Sequence, residues 1–364
     1  MEIANFSAGP AALPRPVLER AREGLGPFGT AGVPILSQSH RGPDYDRVHR
    51  RAREGIARLL GLPASHEVLL LQGGASTQFA HVPLNFLPPG RSADYVITGA
   101  WSEKALAEAR RLSKVAGEAR VAGTTEDQGS YRRVPGEAEL DLSPDAAYVH
   151  LTSNNTIFGT QFHGFPRTES WKVADMSSDL LSRPMDVSGF GLIYAGAQKN
   201  LGPAGLTVVL GHSDWLRSGR TDLPNIVRYA VHADKDSLYH TPPTFAVYLT
   251  MLVVDWIDEQ GGLEAMEAAN ARKQAMVYEA IDRSDGFYQN PVEVASRSWM
   301  NVVFRLPNEE IESEFLKQAE ELGLHGLKGH RSVGGVRASL YNAVGIDDVE
   351  RLVEHMESFR RSGA

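Results

Sequence analysis

Short apolar runs closed by glycine or polar turns alternate with stretches of helical spacing along most of this chain. Residues 5–14 read as an extended lead-in, because Gly9-Pro10 and Pro14 oppose helix, and 17–24 as a short helix. Val48, Ala52, Ile56, Leu59 and Leu60 share one helical face and predict a helix over 45–60 that stops at Gly61. A strand over 67–71 is broken by Gly73-Gly74, and 76–87 resumes as helix. Residues 95–98 predict a strand, 99–102 a turn and 103–113 a helix. Further strands are expected over 115–121 and 148–151, over 171–174 running into Asp175, over 192–195 ending at Gly196-Ala197, and over 206–210. A strongly apolar helix over 248–260 stops at Gly261-Gly262, and a long linking helix follows over 263–283. Beyond it come a strand over 302–306, a helix over 309–322, the segment 335–340 and a last helix over 346–360.

Strands alternating with helices of about a dozen residues predict an α/β domain with a mainly parallel sheet flanked by helices. The final third reads as a smaller α+β domain. The expected division is a large domain over 15–262, with 1–14 and 263–364 forming the small one. In parallel sheets ligands bind beyond the carboxyl ends of the strands. Gly73-Gly74, Trp101, Asn154 to Thr156, Asp175 and Lys199 each follow a predicted strand and should converge on one edge.

Composition narrows the function classes. A chain of 364 residues with net charge −8 lacks the basic face of a general nucleic-acid binder. No apolar run approaches the roughly 18 residues of a membrane span. No secretory signal is visible at the start, so the expected location is cytoplasmic. With no cysteine there is neither a disulfide nor a thiolate metal site, and no metal is expected.

The chemistry-bearing stretches sit just past the predicted strands. GLIYAGAQKNLGPAG places Lys199 on a small-residue turn just past a buried strand, where desolvation lowers an amine's pKa and leaves it free to attack a carbonyl. A solvated loop lysine is the plain alternative. LLLQGGASTQ runs strand, glycine turn and helix start, so exposed amides and the helix dipole can hold a phosphate, with the Ser76 and Thr77 hydroxyls available. An ordinary capped turn would look the same. Trp101 could stack on a flat heteroaromatic ring or fill the core. Asp175 ends an apolar run and needs a partner, either a protonated pyridine nitrogen or the start of a helix near Ser177-Ser178. A phosphate cradle, a ring-stacking aromatic, an aspartate and a lysine are together the contacts that pyridoxal 5'-phosphate requires.

At this point the chain resembles the fold-type-I, class-V pyridoxal-phosphate-dependent aminotransferases, and among them the phosphoserine-forming branch. NFSAGPAALP, SQSHRGPDY, LLQGGASTQFAHVPLNF, TGAWSEKA, HLTSNNTIFGTQF, VADMSSD, YAGAQKNLGPAG, TPPTFAVY and GLKGHRSVGGVRASLYNA carry the resemblance, in family order and over nearly the whole chain. It implies Lys199 as the Schiff-base lysine and Asp175 as the partner of the ring nitrogen. It implies Ala75 and Ser76 at the phosphate, Trp101 on the ring, and Thr156 and Gln198 beside the cofactor. His240, where many members carry asparagine, and Thr241 would reach the cofactor of a neighbouring subunit, making a homodimer with active sites at the subunit interface. The implied reaction transfers the amino group between L-glutamate and 3-phosphohydroxypyruvate, with phosphohydroxythreonine of vitamin B6 synthesis as a possible second substrate.

Charge supports that substrate class. A phosphate of about −1.5 to −2 beside a carboxylate needs a local basic pocket in this acidic protein. His40 and Arg41, His330 and Arg331, and Arg337 are the candidates, with Arg337 the α-carboxylate clamp by resemblance. For Arg41 and Arg331 a surface ion pair is the alternative. An alanine– or serine–glyoxylate aminotransferase, whose substrates need fewer arginines, and a non-catalytic cofactor-binding protein are the competing readings. Cysteine desulfurase shares the scaffold but needs a cysteine.

Overall fold

The computed structural model describes residues 3–362. A two-residue strand, β1 (Ala4–Asn5), leads to helices α1 (Arg15–Glu23) and α2 (Pro43–Leu59). Strands β2 (His66–Gly73), β3 (Ser92–Ile97) and β4 (Glu118–Thr124) then alternate with α3 (Ala75–Phe86) and α4 (Ala100–Arg111). A small hairpin, β5 (Glu126–Asp127) and β6 (Ser130–Tyr131), precedes β7 (Val149–Thr152), β8 (Lys172–Asp175), β9 (Phe190–Gly196) and β10 (Gly205–His212). Helices α5 (Ser213–Arg217), α6 (Tyr229–Asp234), α7 (Thr244–Glu259) and α8 (Gly262–Asp282) follow. The remainder is β11 (Asn301–Phe304), α9 (Glu309–Glu321), β12 (Leu324–His325), β13 (Val336–Ser339) and α10 (Ile346–Arg361).

The central sheet has the order β2-β10-β9-β8-β7-β3-β4. All its pairings are parallel except those of β10, which runs against both neighbours. The carboxyl ends of β2, β3, β7, β8 and β9 therefore share one edge. Alternation along β9 sorts side chains to the two faces. Ile193 and Ala195 join Val247, Val254 and Val48 on the α2–α7 side, whereas Leu192 and Tyr194 join Phe79 and Leu106 on the α3–α4 side. A sheet buried on both faces explains why its strands read as apolar runs. No helix of the described residues is long and apolar enough to cross a membrane.

A separate apolar cluster joins Ala4 and Phe6 to Val277, Ile281, Val302, Phe304, Phe315, Leu352 and Phe359. The first strand is held there by parallel pairing of β1 with β12, while β11 pairs antiparallel with β13.

Three local expectations change. The strand expected over 115–121 begins at Glu118, leaving Val115 exposed, because Gly117 packs edge-on against the turn before β3. A Cβ at Gly117 would lie 2.1 Å from the Arg91 carbonyl oxygen. Trp101 belongs to the first turn of α4 rather than to a turn before it, since Ser102 Oγ accepts from the Thr98 and Gly99 amides and starts the helix earlier. No helix begins near Ser177-Ser178; the chain there makes successive turns.

One buried cation ties the last cluster together. Lys273 of α8 is 1% exposed, and its Nζ donates to the carbonyls of Leu340 at 3.0 Å, Tyr341 at 2.8 Å and Val344 at 3.0 Å. These three bonds occupy every ammonium proton and hold the corner between β13 and α10. Lys273→Met should strand three buried acceptors and lower stability by about 3 kcal/mol. A fall in the urea midpoint at unchanged slope would register that loss, and an unchanged midpoint would contradict it.

Candidate active site

Asp175 closes β8, in register with Thr152 of β7 and Tyr194 of β9. Its Oδ1 accepts from the Ser177 amide at 3.0 Å and the Ser177 hydroxyl at 2.6 Å, and that hydroxyl accepts from the Gly196 amide at 3.0 Å. One serine thus fastens the carboxylate to the ends of two adjacent strands. Asp175 is 5% exposed. Burial pushes its pKa up, and Lys199 together with the Ser177 bonds pulls it back down.

Lys199 stands three residues past β9 on a turn built for rigidity. The Ala197 amide donates to Leu206, while Leu201 and Gly202 donate back to the Ala197 carbonyl, and the Ala197 and Leu201 side chains are fully buried. Gly202 passes so close to α7 that a Cβ would meet Thr250 Oγ1 at 2.6 Å. The N-terminal lead-in supplies a wall, with the Ala11 amide donating to Gln198 at 2.8 Å and the Tyr341 hydroxyl to Ala8 at 2.9 Å. Burial lowers the pKa of the Lys199 amine, Asp175 and Asp179 oppose that, and Arg337 adds to it.

The opposite wall is a chain of contacts. Trp101 lies with its ring centroid 5.8 Å from Lys199 Nζ and donates through Nε1 to Thr156 Oγ1 at 3.0 Å. The Thr156 carbonyl accepts from Arg337 Nη1 at 3.0 Å. Arg337 is largely buried, which lowers its pKa, and its Nε is buried without a protein partner. A guanidinium left in that condition suits an anionic ligand.

At the start of α3, Thr77 folds its hydroxyl back onto Gly74, accepting from the amide at 3.0 Å and donating to the carbonyl at 2.7 Å. This corrects the expectation that the Thr77 hydroxyl is free for a ligand. The first-turn amides of Ala75 and Ser76 have no acceptor within the helix and sit at its positive end. A Cβ at Gly74 would meet nothing within 4 Å, so the cradle is open.

His330 and Arg331 lie on the loop before β13. Burial holds the His330 imidazole below its usual pKa, and the positive charges of Arg337, Arg331 and Lys104 add to that. A cavity of about 190 Å³ opens here, lined in part by Tyr131, Ile157, Phe158, His330 and Arg337.

His40, Arg41, His240 and Thr241 form a second group near the end of β2. Gln72 Nε2 donates to the Thr241 carbonyl at 2.6 Å, and burial, followed by the neighbouring Arg41 and His240, lowers the pKa of His40. His40 Nε2 and His240 Nδ1 are buried without a protein partner. Among the described residues no hydrogen bond, ion pair or ring contact joins this group to Lys199, Asp175, Trp101 or Arg337.

Two neighbours of the site escaped the sequence reading. Asp179 is a second buried carboxylate, bonded to the Ser153 hydroxyl and to Gln161 Nε2, and it acts electrostatically on Lys199. Lys104 follows Trp101 by one helical turn, a spacing that could have marked it. Among the described residues no group of three or more His, Cys, Asp and Glu side chains could hold a metal ion.

The family model for aminotransferase class-V matches residues 3–352. A phosphoserine aminotransferase of Herpetosiphon aurantiacus is 51% identical over 360 residues, covering 99% of each chain. The solved phosphoserine aminotransferase of Bacillus circulans subsp. alkalophilus superposes with a TM-score of 0.96 at 49% identity, covering 100% of this chain and 99% of its own. The pyridoxal-phosphate-bound phosphoserine aminotransferase of Trichomonas vaginalis gives 0.93 at 37% identity, over 98% of this chain and 100% of its own.

Proposed function

Because the chain belongs to the class-V aminotransferase family, we infer that this site transfers the amino group of L-glutamate to 3-phosphohydroxypyruvate, giving O-phospho-L-serine and 2-oxoglutarate, with pyridoxal phosphate as cofactor. The observation that carries the reading is the pairing of a buried carboxylate and a desolvated amine on adjacent strand ends, beside a buried arginine without a carboxylate partner.

The residues present suit that cofactor. When bound, pyridoxal phosphate supplies an aldehyde for the lysine amine and a protonated ring that draws electron density from the substrate Cα. The Ala75 and Ser76 amides, at the positive end of α3, would hold its phosphate. Trp101 would cover the ring, with Thr156 and Gln198 beside it. The bonds from Ser177 fall on Asp175 Oδ1, so Oδ2 is left for the ring N–H. Lys199 Nζ would carry the proton to and from the substrate Cα. Arg337 presents a planar fork to the α-carboxylate, and His330 and Arg331 stand at the end where the substrate phosphate arrives.

His40, Arg41, His240 and Thr241 act, in this reading, on the site of a second copy, which makes the enzyme a homodimer. Their separation from the Lys199 group within one chain supports it. Thr241→Val should then weaken cofactor retention by roughly 1.5–3 kcal/mol, the worth of one charge-assisted hydrogen bond. Mixing Thr241→Val subunits with Lys199→Ala subunits tests the arrangement. A heterodimer's single lysine-bearing site would receive its loop from the Lys199→Ala subunit, whose Thr241 is intact. Activity per intact lysine at limiting cofactor should rise above that of the Thr241→Val homodimer; no rise, with heterodimers demonstrated, would leave the loop serving its own subunit.

The division into a large domain over 15–262 and a small one from 1–14 and 263–364 belongs to this reading, supported by the separate apolar cluster around Phe6 and Phe304. So does a cytoplasmic location, which cell fractionation checks. A glyoxylate-type substrate would leave the cationic mouth without its second anionic group. The deciding experiment follows the cofactor absorbance of purified enzyme as amino acids are added. Glutamate and phosphoserine should convert it and alanine should not; a response to alanine as strong as to phosphoserine would overturn the substrate reading.

A further inference from the structure

The mouth of the cleft carries a cation that has no role in the scheme above. Lys104 is exposed on α4, and its Nζ sits 4.2 Å from the centroid of the Trp101 ring. Glu103 beside it is engaged elsewhere, its Oε1 accepting from the Tyr131 hydroxyl at 2.6 Å. Among the described residues Lys104, Arg331 and Arg337 form no ion pair with a carboxylate, so their charges are not neutralised by a neighbouring acid. Continuity runs through the indole: Lys104 lies over Trp101, Trp101 donates to Thr156, and Thr156 accepts from Arg337. The charge of Lys104 is also felt at His330, on the facing loop.

We propose that Lys104 is a specificity-determining residue, whose ammonium, held over Trp101, binds the phosphate of the substrate and favours phosphorylated over unphosphorylated partners. The aromatic face restrains the lysine stem without neutralising its charge, so the ammonium is positioned before the substrate arrives. A phosphate near −2 gains about twice the attraction that a single carboxylate gains at the same distance. Glutamate, the unphosphorylated partner, therefore depends on Lys104 less. The inference rests on the phosphoserine reading of the same site.

The test uses holoenzyme, Lys104→Met and the charge reversal Lys104→Glu. Dissociation constants for phosphoserine and for glutamate come from the cofactor absorbance in the half-reaction, and KM and kcat for 3-phosphohydroxypyruvate from turnover. In Lys104→Met phosphoserine and 3-phosphohydroxypyruvate should bind about tenfold more weakly, and glutamate less than about threefold, with kcat changed far less than KM. Lys104→Glu should widen the gap, and the inhibition constant of inorganic phosphate against glutamate should rise in both variants. Equal weakening of glutamate and phosphoserine, or no weakening of either, overturns the proposal. Wild-type enzyme that fails to use phosphoserine at all would overturn the substrate reading instead, and the two failures are separate observations.

Discussion

Lys199→Ala should abolish transamination and leave the fold standing. The turn that carries the lysine is fastened by its neighbours, through the backbone bonds at Ala197 and the buried Ala197 and Leu201 side chains, so losing the amine removes no anchor. What disappears is chemistry. Burial keeps the amine below the ordinary lysine range, and Lys199 is the lysine whose charge acts on Asp175, whereas the other lysine at Trp101, Lys104, is exposed. General acid–base transfer alone is worth about 10²–10⁴ in rate, and the covalent role is lost along with it. A residual rate below about 10⁻³ of wild type is expected, with unchanged circular dichroism and urea midpoint. Turnover near wild type in the purified variant would remove Lys199 from the scheme.

Asp175→Asn is the second large effect, and it separates charge from shape. The amide can still accept from Ser177, so the ends of β8 and β9 should stay in register and the cofactor should still bind. An amide lacks the negative charge that favours a proton on the ring nitrogen, and an opposite charge at this range shifts a pKa by about 1–3 units. Activity at neutral pH should fall by about tenfold to a thousandfold. The sign with pH follows from the same argument. Without its anionic partner the ring nitrogen holds its proton only at lower pH, so the variant's activity relative to wild type should rise as the solution is acidified. Full activity, or a ratio independent of pH, would make Asp175 a brace for Ser177 and nothing more.

Much of this architecture could be read from the order of residues. Ile193 and Ala195 face one layer and Leu192 and Tyr194 the other, and such doubly buried strands appear in sequence as unbroken apolar runs. The ends of those runs located the edge where Asp175 and Lys199 meet. Choices of hydrogen-bond partner were not legible. Thr77 spends its hydroxyl on its own turn, and Asp175 takes Ser177 in a tight turn instead of capping a helix, because both partners are available within three residues at no cost in spacing. Close approach also left no signature: nothing around Gly117 announces that Arg91 blocks the strand there. Lys104 was hidden by company, one charged residue among several on an exposed helix.

The single reversed strand has a consequence for how the reactive amine is delivered. A parallel partner for β9 would need a crossover of a dozen or more residues, usually with a helix, before the chain re-entered the sheet. Because β10 runs the other way, Gly205 begins at the edge where Gly196 ends, and the lysine rides a short span tethered at both ends to bonded neighbours. A span that short samples little space, so Nζ meets an incoming carbonyl at a high effective concentration. Reversing one strand thus turns a long tether into a short one, and the sheet itself becomes the device that aims the amine.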